Sequence, residues 1–214
     1  MQSNQRKIRI KICGITRLGD ALIAESLGAF AVGFVFYPGS PRYIKPEDAG
    51  KISDKLGTNI LRIGVFVNEK HENIIKTVRY AGLTAIQLHG SESPDIIKYL
   101  NNIPIIKAFH IDEKFDSSSL KDYDVTAFLL DSYVAGSCFG GTGRIFDWNK
   151  ALECKKYGKI ILAGGLNKDN VYNALKKVDP WALDVSSGVE ISPGIKDINK
   201  MEAFFHAANK EISD

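Results

Sequence analysis

The sequence predicts an α/β fold, a single-domain (β/α)8 barrel over residues 1–214, on three observations. Short β-branched or aromatic runs alternate with longer segments of helical period, the pattern of βαβ units on a parallel sheet. Glycine-bearing loops follow the carboxyl ends of several of those runs. No linker, low-complexity stretch or shift of composition marks a boundary, and one barrel needs only ~200 residues or more.

The expected strands are Ile8–Cys13, Ala31–Phe36, Ile60–Val67, Thr84–His89, Pro104–Phe109, Thr126–Asp131, Lys159–Gly164 and Trp181–Ser186. Helices are expected over Leu18–Ala29, Glu72–Gly82, Pro94–Leu100 and Lys168–Lys177, among others. The fifth is expected to degenerate to a turn or short helix, because Phe115–Tyr123 is short and polar. The loops at 37–42, 136–144, 164–167 and 186–188 follow strands two, six, seven and eight, so in a barrel they share one catalytic face.

Composition narrows the partners. A formal charge of +3, spread over mixed acidic and basic positions, offers no basic run for nucleic acid or a membrane surface. No apolar run approaches the ~20 residues of a membrane span, and the first residues show no signal-peptide pattern, so a cytoplasmic protein is expected. Cys13, Cys138 and Cys154 are odd in number and lack zinc-ligand or CxxC spacing, which fits free thiols in a reducing compartment.

Alternation along each strand sorts side chains into two sets. In the first strand Ile8, Ile10 and Ile12 face the helices, which leaves Lys11 inside the barrel and Cys13 at its mouth. In the sixth, Ala127, Leu129 and Asp131 point inward, with Asp131 last. In the eighth, Trp181, Leu183 and Val185 pack outward and Asp184 inward; in the fourth, the inward set ends with Gln87 and His89. Ionisable residues from distant strands thus converge on one rim, where partial burial and mutual charge tune their protonation.

These residues sit in an ordered series of short words: KICGIT (Lys11–Thr16), GFVFYPGSPRYI (Gly33–Ile44), GVFVN (Gly64–Asn68), QLHG (Gln87–Gly90) and LLDS (Leu129–Ser132). GGTG (Gly140–Gly143), FDW (Phe146–Trp148), AGGLN (Ala163–Asn167), DVSSGVE (Asp184–Glu190) and PGIKD (Pro193–Asp197) follow. Single words such as AGG or SSG occur in many phosphate-binding barrels, but the whole series in this order resembles the phosphoribosylanthranilate isomerase family. The resemblance implies an Amadori rearrangement of a phosphorylated ribosyl anthranilate in tryptophan biosynthesis, with no metal and no cofactor; separately, a monomer or homodimer is expected.

It also implies roles. Cys13 corresponds to the family's general base and Asp131 to its general acid. Arg42 corresponds to the binder of the anthranilate carboxylate, a role suited to a planar guanidinium. The phosphate is expected between the loops after strands seven and eight, against Gly164, Gly165, Ser186, Ser187 and Gly188, with a helix N-terminus adding positive potential. His89 and Asp184 are expected to contact substrate or orient Asp131. A thiol base acts only as thiolate, and Lys11 is placed to favour that form, whereas the acid must hold a proton, favoured by desolvation or by a neighbouring anion such as Asp184.

Alone, Cys13 reads as a small buried hydrophobe, Asp131 as an active-site residue or a cap, His89 as a structural histidine and Arg42 as a solvated loop arginine. Two rival functions share the fold. A metal-dependent sugar-phosphate epimerase needs histidines at strand ends, and His71, His110 and His206 are not all so placed; an indole-glycerol-phosphate synthase needs inward lysines, for which Lys11 and Lys107 are candidates. A barrel that only binds a phosphorylated regulator is the other class, opposed by intact Cys13 and Asp131.

Overall fold

A computed structural model describes residues 8–100, 102–132 and 147–210. Eight strands close into a parallel barrel in sequence order: β1 (Ile10–Cys13), β2 (Ala31–Val35), β3 (Leu61–Phe66), β4 (Ala85–Leu88), β5 (Ile105–Ile111), β6 (Ala127–Ser132), β7 (Ile160–Leu162) and β8 (Ala182–Val185). β8 pairs with β1, so no edge is left open. Around it lie α1 (Leu18–Ser26), α2 (Pro46–Ser53), α3 (His71–Tyr80), α4 (Ile97–Leu100), α5 (Trp148–Cys154), α6 (Val171–Val178) and α7 (Ile198–Asn209). The predicted fold class is the observed one.

The fifth connection is a 3-10 turn, Ser117–Asp122, as its polar sequence led us to expect. An antiparallel hairpin of β9 (Glu190–Ser192) and β10 (Ile195–Lys196) was not expected. It lies between β8 and α7, whose N-terminus is capped by the Asp197 carboxylate accepting from the Lys200 N–H.

Strand parity holds for the chemistry-bearing residues. Ile10 and Ile12 belong to the core between barrel and helices, and Ala127 and Leu129 to the separate core inside the barrel. Two expectations need correction. Trp181 precedes β8 and packs, with Phe30, against the inner core, the two rings meeting edge-on at 5.4 Å under the Arg9 guanidinium. Lys107 faces the helix side, where Nζ meets the Glu92 carboxylate at 2.7 Å and the Gly90 carbonyl at 2.7 Å, so it offers no inward lysine. The loop 136–144, with Cys138, lies outside the described residues.

Candidate active site

Cys13, Arg42, His89, Asp131, Asp184 and Ser186 line one cavity at the carboxyl end of the barrel, beside Tyr37, Ser40 and three valines. Sequence position says nothing of this proximity; strand order and inward parity produce it. Cys13 ends β1 and Asp131 stands near the end of β6, three strands away by one route round the barrel and five by the other, so they approach a bound molecule from different sides.

Lys11 and Asp184 are register partners on β1 and β8, and Lys11 Nζ donates to Asp184 Oδ1 at 2.8 Å. The lysine is 1 % exposed. Burial opposes its charge, but the attraction of Asp184 and then of Cys13 outweighs that, and the ammonium is held well above the usual lysine range. The thiol responds in the other direction. Burial pushes Cys13 up, the Lys11 charge pulls it down and Asp184 pushes it up again; the net direction is upward. Lys11 therefore favours the thiolate, as expected, but does not outweigh burial and Asp184. Alkylation of Cys13, followed site by site by mass spectrometry, is expected to show a midpoint above that of a free thiol. In Asp184→Asn that midpoint should move down, because an anion opposing the thiolate is gone; an unmoved midpoint would remove Asp184 from the control of this thiol.

Gly33, the register partner of Cys13 on β2, makes room for both residues. A Cβ there would stand 2.9 Å from Cys13 Sγ and 3.1 Å from Lys11 Nζ. Gly33→Ala is expected to displace the thiol and lower kcat by about 10- to 100-fold, the effect of a misplacement near 1 Å. Steady-state kinetics of a variant shown to be folded by circular dichroism checks this.

Arg42 is buried and already engaged. Glu190 accepts from Nε at 3.0 and 3.2 Å and from Nη2 at 2.7 Å, a two-pronged pair that leaves the Nη1 edge for a ligand. Glu190 in turn accepts from Lys196 Nζ at 2.8 Å, and the same ammonium donates to the carbonyls of Cys13 and Ser186. Burial pushes Glu190 up, but Arg42 and Lys196 more than offset it and hold the carboxyl below its usual range. Gly14 takes φ +76°, and a Cβ on it would stand 2.6 Å from Arg42 Cδ, so a glycine is needed there for both backbone and space. Glu190 and Lys196 stand in the words DVSSGVE and PGIKD, but nothing local to those words shows that they meet Arg42 and the end of β1.

The loops after β7 and β8 touch. Gly164 and Gly165 are consecutive left-handed residues, φ +81° and +65°, and a Cβ on Gly188 would fall 1.9 Å from the Leu166 carbonyl oxygen. Ser187 and Gly188 belong to a three-residue 3-10 turn, Ser187–Val189, so the expected helix N-terminus is not at this loop.

On the opposite wall β5 runs to Ile111, two residues past the expected end, and places His110 inward as register partner of Asp131. The signal was present in the alternation Ile106, Ala108, His110, and was lost by ending the strand at Phe109. His89 Nδ1 contacts the Gln87 amide nitrogen at 2.7 Å, its Nε2 stands 3.6 Å from Asp131 Oδ2, and its ring lies 5.3 Å from that of His110. Burial, then His89, holds His110 below the usual histidine range. His89, His110 and Asp131 have one ligand atom each within 4.8 Å of one another, close enough for a metal ion.

Residues 10–207 match the family model described as N-(5'-phosphoribosyl)anthranilate isomerase. The chain belongs to that family. It is 46 % identical to the N-(5'-phosphoribosyl)anthranilate isomerase of Citrifermentans bemidjiense over 202 residues, 94 % of this chain and 97 % of that one. It is 47 % identical to that of Thermotoga neapolitana over 203 residues, 94 % and 98 % of the two chains. The crystal structure of phosphoribosyl anthranilate isomerase from Thermotoga maritima superposes with a TM-score of 0.87 at 43 % identity, covering 95 % of this chain and all of that one. A structure of the enzyme in complex with reduced 1-(o-carboxyphenylamino)-1-deoxyribulose 5-phosphate gives 0.85 at 42 %, with the same coverage. The family's ordered words therefore sit on the family's backbone.

Proposed function

We propose that Cys13 and Asp131 are the base and acid of the chain's isomerase activity. That activity is the conversion of N-(5'-phosphoribosyl)anthranilate to 1-(2-carboxyphenylamino)-1-deoxyribulose 5-phosphate in tryptophan biosynthesis. The observation that carries the assignment is the cavity, in which a thiol and a carboxyl on separate strands line one mouth together with Arg42. Asp131 protonates the furanose ring oxygen, and the ring opens to a protonated Schiff base at C1. Cys13 then takes the C2 proton, giving an enolamine that tautomerises to the ketone.

The raised thiol fits this order of steps. Ring opening creates an iminium cation next to the base, adding to Lys11 a second positive charge that favours the thiolate when it is needed. Arg42 holds the anthranilate carboxylate through its Nη1 edge, with Glu190 fixing the plane of the fork. The phosphate lies against the backbone of Gly164, Gly165, Ser187 and Gly188 with the Ser186 hydroxyl beside it, and His89 and Asp184 contact the opened sugar. The reaction draws on no cofactor and no metal.

The substrate's fluorescence decay tests the reading. Wild type is expected to consume freshly made substrate in buffer with chelator; no decay above background would return the barrel to a phosphate binder of another kind. Arg42→Ala is expected to raise KM by about 10- to 100-fold, since a charge-assisted two-point contact is worth about 1.5–3 kcal/mol, with a smaller change in kcat. An unchanged KM would take the carboxylate away from Arg42.

Residues 1–214 act as one catalytic domain. The assembly is a monomer or a homodimer, one relative from Thermotoga maritima being described as dimeric; light scattering distinguishes the two. A cytoplasmic location is supported by two buried cysteines, Cys13 and Cys154, that are free. Among the described residues no helix is long and apolar enough to cross a membrane.

A further inference from the structure

We propose that His89, His110 and Asp131 form a binding site for a divalent transition-metal ion of the zinc class, and that its occupation silences the isomerase by taking the general acid. His110 and Asp131 stand on the paired strands β5 and β6, and His89 directly follows β4, which pairs with β5, so the backbone already brings the donors together. His89 Nε2 is buried, makes no hydrogen bond, and faces Asp131 Oδ2 at 3.6 Å. Two ligands of a tetrahedral ion with bonds of ~2.0–2.2 Å stand roughly 3.3–3.6 Å apart, so this pair is already at ligand spacing. His110 supplies the third atom within 4.8 Å of the other two.

The donor set selects the ion. Two imidazoles and one carboxylate suit zinc, cobalt or nickel, whereas magnesium and calcium demand oxygen ligands. Three protein ligands at the edge of a cavity leave a position open for water or a small anion. Gln87 provides the outer support that metal-bound histidines use. Its amide nitrogen now touches His89 Nδ1 while its oxygen is buried without a hydrogen bond. A half-turn of that amide sets the oxygen against an Nδ1–H and leaves the Nε2 lone pair for the ion.

Binding does not depend on the chemical role of Asp131; inhibition does, and so rests on the acid assignment above. The two therefore fail separately. The chelator-treated full chain is titrated with Co²⁺ and with Zn²⁺, and turnover is followed in parallel. One equivalent of Co²⁺ should bind with a visible d–d spectrum, Zn²⁺ should displace it, activity should fall at the Zn²⁺ concentration that displaces Co²⁺, and chelator should restore it. His110→Asn and His110→Gln should each weaken Co²⁺ binding by about tenfold or more, as loss of even an outer-sphere group does elsewhere. The anomalous signal of Co²⁺-soaked wild-type crystals should lie between the three side chains, a readout that needs no variant. Absent binding, equal affinity in the His110 variants, or a thiolate-to-metal charge-transfer band assigning the ion to a cysteine would each overturn the proposal while leaving the isomerase reading intact. Binding without inhibition would overturn its second half.

Discussion

Replacing Cys13 with alanine or Asp131 with asparagine is expected to lower kcat by about 10²- to 10⁴-fold each, the range for loss of an essential acid or base, with KM little changed. The reason lies in what each residue contributes only after binding. Neither is the cavity's main anchor for an anion; Arg42 and the loops after β7 and β8 fill that role in the proposed function, so ground-state affinity survives. Asparagine keeps the shape of Asp131 but has no acidic proton to give to the ring oxygen. Alanine at 13 removes a buried sulfur packed against Val35 and Val65, a small loss of apolar contact, so melting temperatures should stay close to wild type. Rapid-quench measurement of substrate consumption checks both variants. Near-full kcat in Cys13→Ala would move the base elsewhere, and near-full kcat in Asp131→Asn would do the same for the acid.

The legible part of this molecule was its periodicity. Alternation in β1, β6 and β8 placed Lys11, Cys13, Asp131 and Asp184 inward because a strand side chain has only two choices and the apolar set claims the helix side. Periodicity left Lys107 open as an inward candidate, since a buried lysine on the helix face looks anomalous until Glu92, on a loop 15 residues back, neutralises it at 2.7 Å. It also lost His110, because a strand's end is set by hydrogen bonds to its neighbour and not by its own residues; β5 continues as long as β6 offers partners, through the pairing of Ile111 with Ser132. The engagement of Arg42 by Glu190, 148 residues away, was beyond reach for a different reason. No local preference encodes it, and it exists only once the barrel has closed and the β9–β10 hairpin has folded over the seam between β8 and β1.

That hairpin makes Lys196 the residue whose loss should cost the most stability. Its Nζ bonds to Glu190 at 2.8 Å and to the Cys13 and Ser186 carbonyls, and the side chain is fully buried. Burial pushes this ammonium below the usual lysine range, and the attraction of Glu190 offsets that only in part. Lys196→Met keeps the length and most of the volume but takes the ammonium away from the Cys13 and Ser186 carbonyls, which keep only the Ser186 hydroxyl and the Val189 N–H, and leaves Glu190 with Arg42 as its one charged partner among those described. Removing one member of a buried ion pair costs about 3–5 kcal/mol; because Arg42 still neutralises Glu190, the lower end is expected. At roughly 2–4 °C per kcal/mol for a chain of this size, the melting temperature should fall by roughly 6–12 °C. Activity should fall as well, since the Cys13 carbonyl loses the ammonium that fixes the end of β1, and the fall should be in kcat more than in KM. Calorimetry and kinetics on Lys196→Met, Glu190→Gln and the double variant separate the two effects. If the ammonium is held chiefly through Glu190, the double variant is no less stable than Lys196→Met, because it no longer buries an anion short of one partner; if it is a strut for the Cys13 carbonyl, kcat in the double variant stays as low as in Lys196→Met whatever the stability does. A Lys196→Met protein with wild-type melting temperature and kcat would show that the hairpin only covers the barrel end and takes no part in holding the base.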